Sequence, residues 1–235
     1  MPYRTGAPNG TRANLGLIVL QADETLEQEF RQMLGQPGVA QYVTRVPSGL
    51  SVTPTSLSQM EQDLPAAAHL FPPPVQFDAV AYCCTSGTAV IGADRVADLV
   101  AASCQTRYVT DPLTALIAQC KANNVTRLAL LSPYIEMVNE RLRQRLADAG
   151  IETPAFGTFG VAEEAVVARI DARSIENAAQ TLMADPDLDA LFISCTNLQT
   201  LAIRARIQAR LRRPVFTSNH ALAWHMAQLS GLSFA

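Results

Sequence analysis

The sequence has no apolar run that approaches the roughly 18 residues needed to span a membrane. Its first 14 residues, MPYRTGAPNGTRAN, also contain no apolar stretch of the kind found in signal peptides. The formal net charge is only −3, so overall electrostatics do not favour nucleic acid or an anionic membrane as a partner. We therefore expect a cytoplasmic protein that binds a small molecule, with no nucleic-acid or membrane partner.

Several cofactor and hydrolase motifs are missing as well. No G-x-G-x-x-G follows the first apolar segment, and there is neither a P-loop nor a G-x-S-x-G nucleophile elbow. The three histidines, His69, His220 and His225, share no metal-ligand spacing with the cysteines or acids. We therefore expect no nucleotide cofactor, no metal and no serine-hydrolase chemistry.

Cysteines are few and odd in number, with five in the chain. An odd count without an export signal argues against a disulfide framework, so we expect reduced thiols. We interpret Cys83, Cys104 and Cys120 as packing residues, since free cysteine is among the most buried residue types. Cys84 and Cys195 differ from them because both sit next to polar turns.

The chain does have enough apolar residues, 49% of the total, to fill a core that is stable without disulfide bonds. Short apolar runs alternate with helical patterns, which is typical of an α/β fold with parallel sheets. The predicted strands are 15–20, 39–46, 79–83, 106–109, 127–131, 153–158, 190–194 and 215–217. The predicted helices are 24–34, 56–70, 87–102, 112–123, 134–149, 174–184, 198–211 and 219–229. Asp111-Pro112 and Ser132-Pro133 each have the pattern of a polar cap followed by proline.

The two halves of the chain resemble each other. Residues 78–85, DAVAYCCT, match residues 189–196, DALFISCT, and their Asp, Ala, Cys and Thr recur at a constant offset of 111 residues. The segment at 15–20 matches that at 128–132 at nearly the same offset. The repeat predicts two α/β domains, 1–110 and 111–217, with a final helix within 218–235 packing back on the first.

Cys84 and Cys195 occupy equivalent positions at the carboxyl ends of their predicted strands, where parallel sheets collect ligands. Thr85 and Ser86 follow one cysteine, and Thr196 and Asn197 the other, so free N–H groups there could cradle a carboxylate. The positive helix end predicts a lowered thiol pKa.

Two such thiols could racemise a substrate by general acid and base catalysis, or isomerise an alkene covalently. A non-enzymatic sensor of small acids is the alternative. A sensor would explain a ligand-binding crevice at the carboxyl ends of the strands, but not two cysteines at matching positions.

At these residues the chain resembles the aspartate/glutamate racemase superfamily. The similarity runs through LGLIVLQADETLEQEF, YCCTSGTAVIG, VTDPLTA, LALLSPY, LFISCTNLQT and TSNHALAWHM. It points to the branch that holds maleate cis–trans isomerase and arylmalonate decarboxylase, and most closely to the ectoine-utilisation protein A group. The resemblance implies two Rossmann-like domains with parallel sheets related by pseudo-twofold symmetry, an active site between them and no cofactor.

By position, Cys84 and Cys195 match the family's two catalytic cysteines, and Tyr134 matches its substrate-binding tyrosine. The resemblance therefore implies these roles for the three residues. The decarboxylase has glycine at the first cysteine position, so Cys84 favours isomerisation or racemisation. Maleate isomerase proper and arylmalonate-type decarboxylation are retained as alternatives. The oligomeric state stays open, a homo-oligomer included.

Two further positions depart from the maleate isomerase pattern, since Asp23 and Glu164 stand where that pattern has asparagine. A carboxylate repels a substrate carboxylate, whereas an amide donates to it. These acids therefore favour a substrate with an ammonium or amide, such as a diaminobutyrate-like intermediate of ectoine breakdown. Asp23 is equally well explained as a cap for the helix that follows it. We also regard Asn219 as a weak substrate contact.

Overall fold

The computed structural model describes residues 1–234, with only the backbone at Pro54. Within this range the chain forms eight strands and ten helices. The first-half elements are β1 (Ala13–Leu20), α1 (Leu26–Leu34), β2 (Val39–Val46), α2 (Pro54–Ala68), β3 (Phe77–Cys83), α3 (Thr85–Ile91), α4 (Ala93–Ala101) and β4 (Thr106–Thr110). There follow α5 (Pro112–Ala122), β5 (Arg127–Ser132), α6 (Glu136–Asp148), β6 (Glu152–Thr158), α7 (Glu164–Val167), α8 (Ala172–Leu182), β7 (Ala190–Ile193), α9 (Leu201–Leu211), β8 (Val215–Thr217) and α10 (Ser218–Leu229).

The strands form two parallel four-stranded sheets with the orders β2-β1-β3-β4 and β6-β5-β7-β8. Corresponding strands of the two halves thus take corresponding places. Adjacent residues of β1, such as Leu17 and Ile18, are both fully buried, because helices cover both faces of a parallel sheet. The predicted α/β class with two parallel sheets is confirmed.

The repeated aspartates have the same structural role in both halves. Asp78, at the start of β3, accepts a hydrogen bond from the Asn14 N–H at 2.8 Å. Asp189, just before β7, accepts from the N–H groups of Thr126 and Arg127, both at 2.8 Å. Each aspartate therefore ties the start of one central strand to the start of the next, at the sheet edge opposite the cysteines.

One face of the first sheet is covered by α1 and α10. Phe30 of α1 and Met226 of α10 pack with Leu15 and Leu17 of β1 in one buried cluster, which also includes Ala115 of α5. The opposite face shares a second cluster with the second sheet, so apolar packing is continuous between the halves. The domain boundary at residue 110 stays a prediction.

Several predicted helix boundaries are wrong, and two of these differences have a clear physical reason. The helix predicted for 87–102 is divided at Gly92, whose φ of 99° is left-handed and interrupts the helical backbone. The helix predicted from Tyr134 begins at Glu136, and Ser132 does not cap it, because the Ser132 hydroxyl donates to the Asn139 side chain instead. The sequence reasoning also missed the short helix α7.

The cap predicted at Asp111 is confirmed. One of its carboxylate oxygens accepts from the N–H groups of Leu113 and Thr114 at 2.8 and 2.9 Å. Among residues 1–234, no helix combines the length and apolar character required to cross a membrane.

Candidate active site

Cys84 lies directly after β3 and is the N-cap residue of α3. Its sulfur accepts a hydrogen bond from the Gly87 N–H at 3.1 Å and lies 3.5 Å from the Ser86 hydroxyl. A Cβ on Gly87 would come within 2.2 Å of the Tyr82 hydroxyl and 3.0 Å of the sulfur. Glycine is therefore needed at this position so that the thiol and the Tyr82 ring can approach the first turn of α3.

Cys195 lies two residues beyond the end of β7 and has a φ of 122°, which is strained for a residue with a side chain. Its sulfur accepts from the Asn197 N–H at 3.4 Å, and its own N–H donates to the Ser218 hydroxyl at 2.9 Å. Such strain persists only where surrounding contacts fix the backbone. The turn thus holds the thiol in a defined direction.

Hydrogen bonds across the halves bring the two cysteine turns together. The Ser218 hydroxyl, which accepts from the Cys195 N–H, also lies 2.8 Å from the Thr85 hydroxyl. The Thr196 hydroxyl donates to the Cys83 carbonyl at 3.3 Å. The sequence reasoning missed Ser218, although the polar turn before α10 pointed to this segment.

Tyr134 is buried beside both thiols. Burial raises the pKa of its hydroxyl, and the charges of Cys195 and Cys84 raise this pKa further. The Ser194 hydroxyl donates to it at 3.5 Å. A phenol near both sulfurs can donate to either one, or to a ligand that lies beside them.

The predicted lowering of the thiol pKa is wrong, because both thiols are buried. Burial raises the pKa of Cys84 to about 11, against the lowering effect of the Ser86 hydroxyl and the Gly87 N–H. Burial also raises the pKa of Cys195 well above its ordinary value, and the Glu164 charge adds to this increase. Only 2% of Cys84 and 5% of Cys195 is exposed, so loss of hydration outweighs the few local donors.

This burial predicts an unusual pH dependence for thiol alkylation. In the ligand-free protein, iodoacetamide should modify Cys84 slowly near pH 8, because only the thiolate reacts. The rate should increase about tenfold per pH unit and level off only near pH 11, where half of the thiol is ionised. Peptide mapping by mass spectrometry separates Cys84 from the other thiols. A rate that levels off below pH 9 would contradict the raised pKa.

Asp23 uses one carboxylate oxygen at the start of α1. Its Oδ1 accepts from the N–H groups of Thr25 and Leu26, both at 2.8 Å. Its Oδ2 is buried and has no hydrogen-bond partner among the described residues. Asp23 thus makes cap contacts near the helix start, which lies at Leu26 rather than Glu24, and leaves one oxygen unused.

Asn197 connects α1 to α7. Its side-chain amide donates to a carboxylate oxygen of Glu164 at 2.8 Å, and its amide oxygen accepts from the Glu24 N–H at 2.9 Å. The Thr25 hydroxyl donates to the Asn197 carbonyl at 2.9 Å. Both ends of the Asn197 side chain are therefore engaged within the protein, which positions the Glu164 carboxylate.

Glu29 is a further buried acid, and the sequence reasoning missed it. One of its oxygens accepts from the N–H groups of Thr200 and Leu201 at 2.8 Å, and the other from the Asn219 side chain at 2.8 Å. The Asn219 amide also donates to the Thr196 carbonyl at 2.8 Å. Asn219 therefore stabilises the turn that follows Cys195 by binding the Thr196 carbonyl.

The predicted site residues thus fall into three groups. In the first group, the charge of one residue affects the pKa of another: Cys84, Cys195, Tyr134, Glu164 and Asp23. Asp23, for example, raises the pKa of both Cys195 and Glu164. Thr85, Ser86, Thr196 and Asn197 form the two turns that hold the sulfurs. Asn219 lies behind the second turn. The arrangement provides two thiols, a phenol and two carboxyl groups for proton transfer or addition at sulfur.

Comparison with known proteins identifies the family. The family model described as arylmalonate decarboxylase matches residues 61–235. The chain belongs to the arylmalonate decarboxylase family. Arylmalonate decarboxylase from Bordetella bronchiseptica is 33% identical over 119 residues, which is 50% of each chain. The match therefore spans about half the length of the Bordetella bronchiseptica protein.

Solved structures share the fold. A maleate isomerase from Pseudomonas putida S16, with maleate, superposes with a TM-score of 0.85 at 22% identity, covering 94% of this chain and 92% of the other. A Nocardia farcinica maleate cis–trans isomerase with a covalently bound succinylcysteine intermediate gives 0.82 at 23% identity, covering 94% and 93%. A liganded variant of arylmalonate decarboxylase gives 0.82 at 24%, covering 93% of each.

These matches decide which predictions of family membership hold. The resemblance to arylmalonate decarboxylase is confirmed, and with it membership of an enzyme family. The maleate isomerase structures share the fold. Placement in the ectoine-utilisation group stays a prediction.

Proposed function

We propose that this member of the arylmalonate decarboxylase family is a two-thiol isomerase acting on a small carboxylic acid or amino-acid derivative. The observation that carries the proposal is the pairing of Cys84 and Cys195. Both thiols follow central strands of matching sheets, and their turns meet at Ser218. Both also affect the pKa of the single hydroxyl of Tyr134.

Two reaction courses fit a pair of thiols. In racemisation, one thiolate removes the proton from the carbon next to the carboxylate, and the other thiol delivers a proton to the opposite face. In cis–trans isomerisation, one thiolate adds to an alkene carbon, the former double bond rotates as a single bond, and the sulfur leaves again. Neither course consumes a co-reactant.

The turns supply the contacts that a substrate carboxylate needs. We assign Thr85, Ser86 and Thr196 to carboxylate binding through their backbone N–H groups, and Asn197 to holding the Cys195 sulfur and Glu164 beside the substrate. The N–H groups of Thr85 and Ser86, in the first turn of α3, have no protein acceptor within residues 1–234. Tyr134 would donate a hydrogen bond to the reacting group or to a sulfur.

Decarboxylation is the second candidate, favoured by the match to arylmalonate decarboxylase of Bordetella bronchiseptica. One thiol is sufficient to protonate the carbanion that loss of carbon dioxide leaves. The second thiol, at Cys84, has no role in that reaction, so isomerisation is preferred. A place in ectoine breakdown rests on the sequence resemblance alone.

Proton NMR in deuterium oxide, across a panel of small acids and amino acids, separates these reactions. Exchange of the proton next to the carboxylate with loss of optical purity is expected for a racemase, and alkene interconversion for a cis–trans isomerase. Release of carbon dioxide from a malonate would replace the proposal with decarboxylation. Binding without any turnover across the panel would identify a sensor instead.

A further inference from the structure

One buried carboxylate oxygen beside the thiols has no use within the protein. Asp23 is 4% exposed, and its Oδ1 accepts both N–H groups that the turn offers. The Thr196 hydroxyl lies close enough to lower the pKa of Asp23, but its single proton is donated to the Cys83 carbonyl at 3.3 Å. The Oδ2 atom is therefore an unpaired acceptor in the described part of the chain, 1–234. A buried acceptor without a donor is costly, so a donor that reaches Oδ2 gains a favourable hydrogen bond there.

Glu164 provides a second carboxylate on the same side. It is 6% exposed and is fixed by the Asn197 amide at 2.8 Å. Its charge raises the pKa of both Cys84 and Cys195, and the charge of Asp23 raises the pKa of Cys195 and of Glu164 itself. Asn197 contacts the Glu164 carboxylate, the Glu24 N–H next to Asp23 and the Cys195 sulfur, so both acids lie beside the second cysteine turn.

The charged and titratable groups that face these two acids are Arg45, Glu29, Cys83, Cys84 and Cys195. Arg45 is the cation among them, and its charge lowers the pKa of Asp23. Its guanidinium donates to the backbone carbonyls of Leu20 and Asp23 at 2.9 and 3.1 Å and pairs with Glu27 at the surface, so it does not pair with the Asp23 or Glu164 carboxylate. The potential beside the thiols is therefore negative, which favours a bound cation and opposes a second carboxylate there.

We propose that the substrate carries an ammonium group that binds between Asp23 Oδ2 and the Glu164 carboxylate. The inference rests on the two-thiol function proposed above and narrows its substrates to amino acids and their amine derivatives. The ammonium donates a hydrogen bond to the unpaired oxygen and cancels the repulsion between the two acids. Its positive charge beside the sulfurs also stabilises a thiolate, so the substrate itself promotes ionisation of the nucleophile.

Ligand pairs that differ only by the ammonium group test this proposal. Calorimetric titration would compare L- and D-aspartate with succinate, and 2-aminobutyrate with butyrate. The ammonium member of at least one pair should bind about tenfold more tightly or better. Its affinity should increase as pH rises through the pKa values of the two acids, which burial raises above their ordinary values, because each acid must lose its proton to bind a cation. Equal or weaker binding of both ammonium ligands would overturn the proposal.

The matched variants are Asp23→Asn and Asp189→Asn. Asparagine at position 23 retains the oxygen that accepts from Thr25 and Leu26, so the fold should persist while the preference for ammonium ligands falls about tenfold. Asp189 lies at the opposite sheet edge, and its variant should keep the preference. An unchanged preference in Asp23→Asn would also overturn the proposal. The two-thiol function is decided separately, by turnover of the cysteine variants.

Discussion

Replacing Cys195 by alanine is expected to reduce turnover by a factor of about 10³ or more, and replacing Cys84 should do the same. In either reaction course, one sulfur must act on the substrate carbon, and racemisation requires the second sulfur on the opposite face. Alanine cannot accept or deliver a proton. The double variant should be little worse than either single variant, because groups that act as a unit are not additive.

The design separates chemistry from folding. Alanine retains the Cβ at the strained φ of 122°, so the backbone at position 195 is equally constrained in the wild type and the variant. Cys104→Ala is the matched control, because this thiol lies away from the two turns and should keep wild-type activity. Circular dichroism and thermal unfolding check the fold. Activity within a few-fold of wild type in Cys84→Ala alone would leave a one-thiol reaction, which excludes racemisation by two thiols and contradicts the two-thiol proposal.

Much of the fold could be predicted from local patterns. The strands at 39–46 and 215–217 have the bounds that the sequence predicts. The second is a short buried apolar run, as is typical of parallel strands, and the first is an edge strand of mixed apolar and polar residues. The cysteine turns were found through the repeat, since equivalent strands end at the same edge of equivalent sheets. The repeat also indicated the paired aspartates Asp78 and Asp189.

The contacts that close the site could not be predicted in this way. Ser218 joins two turns that are 111 residues apart in sequence, and no local pattern encodes such a pairing. The raised pKa of each thiol likewise depends on burial by distant elements. The helix-end argument considered only the local donors and therefore gave the wrong direction. The helical pattern at 87–102 includes Gly92, and the positive φ that divides the helix there is a property of the folded backbone that the pattern does not encode.

Glu29 is another residue whose contacts could not be predicted from the local sequence, and these contacts lead to a prediction on stability. It lies in an acidic stretch of α1 that reads as a solvent-exposed face, yet it is 6% exposed and accepts from three N–H donors. Glu29→Ala should lower the free energy of unfolding by about 3–5 kcal/mol, because it leaves three donors unpaired at the start of α9 and at Asn219. Urea unfolding followed by circular dichroism measures this loss.

Glu27→Ala, on the same helix, is the matched surface control. Glu27 pairs with Arg31 and Arg45, and pairs of this kind contribute about 1 kcal/mol or less. A loss in Glu29→Ala no larger than that in Glu27→Ala would show that the buried network does not hold α1 to α9.

Glu29→Gln tests the charge within that network. Glutamine retains an acceptor for the N–H groups of Thr200 and Leu201 but offers Asn219 a donor in place of an oxygen, so its loss should be smaller than that of alanine. Burial raises the pKa of Glu29 above its ordinary value, so the folded protein binds this proton more tightly than the unfolded chain. The stability advantage of wild type over Glu29→Gln should therefore be largest in acid and shrink as pH rises through the raised pKa. An advantage that grows with pH would mean that the ionised carboxylate is the stabilised form.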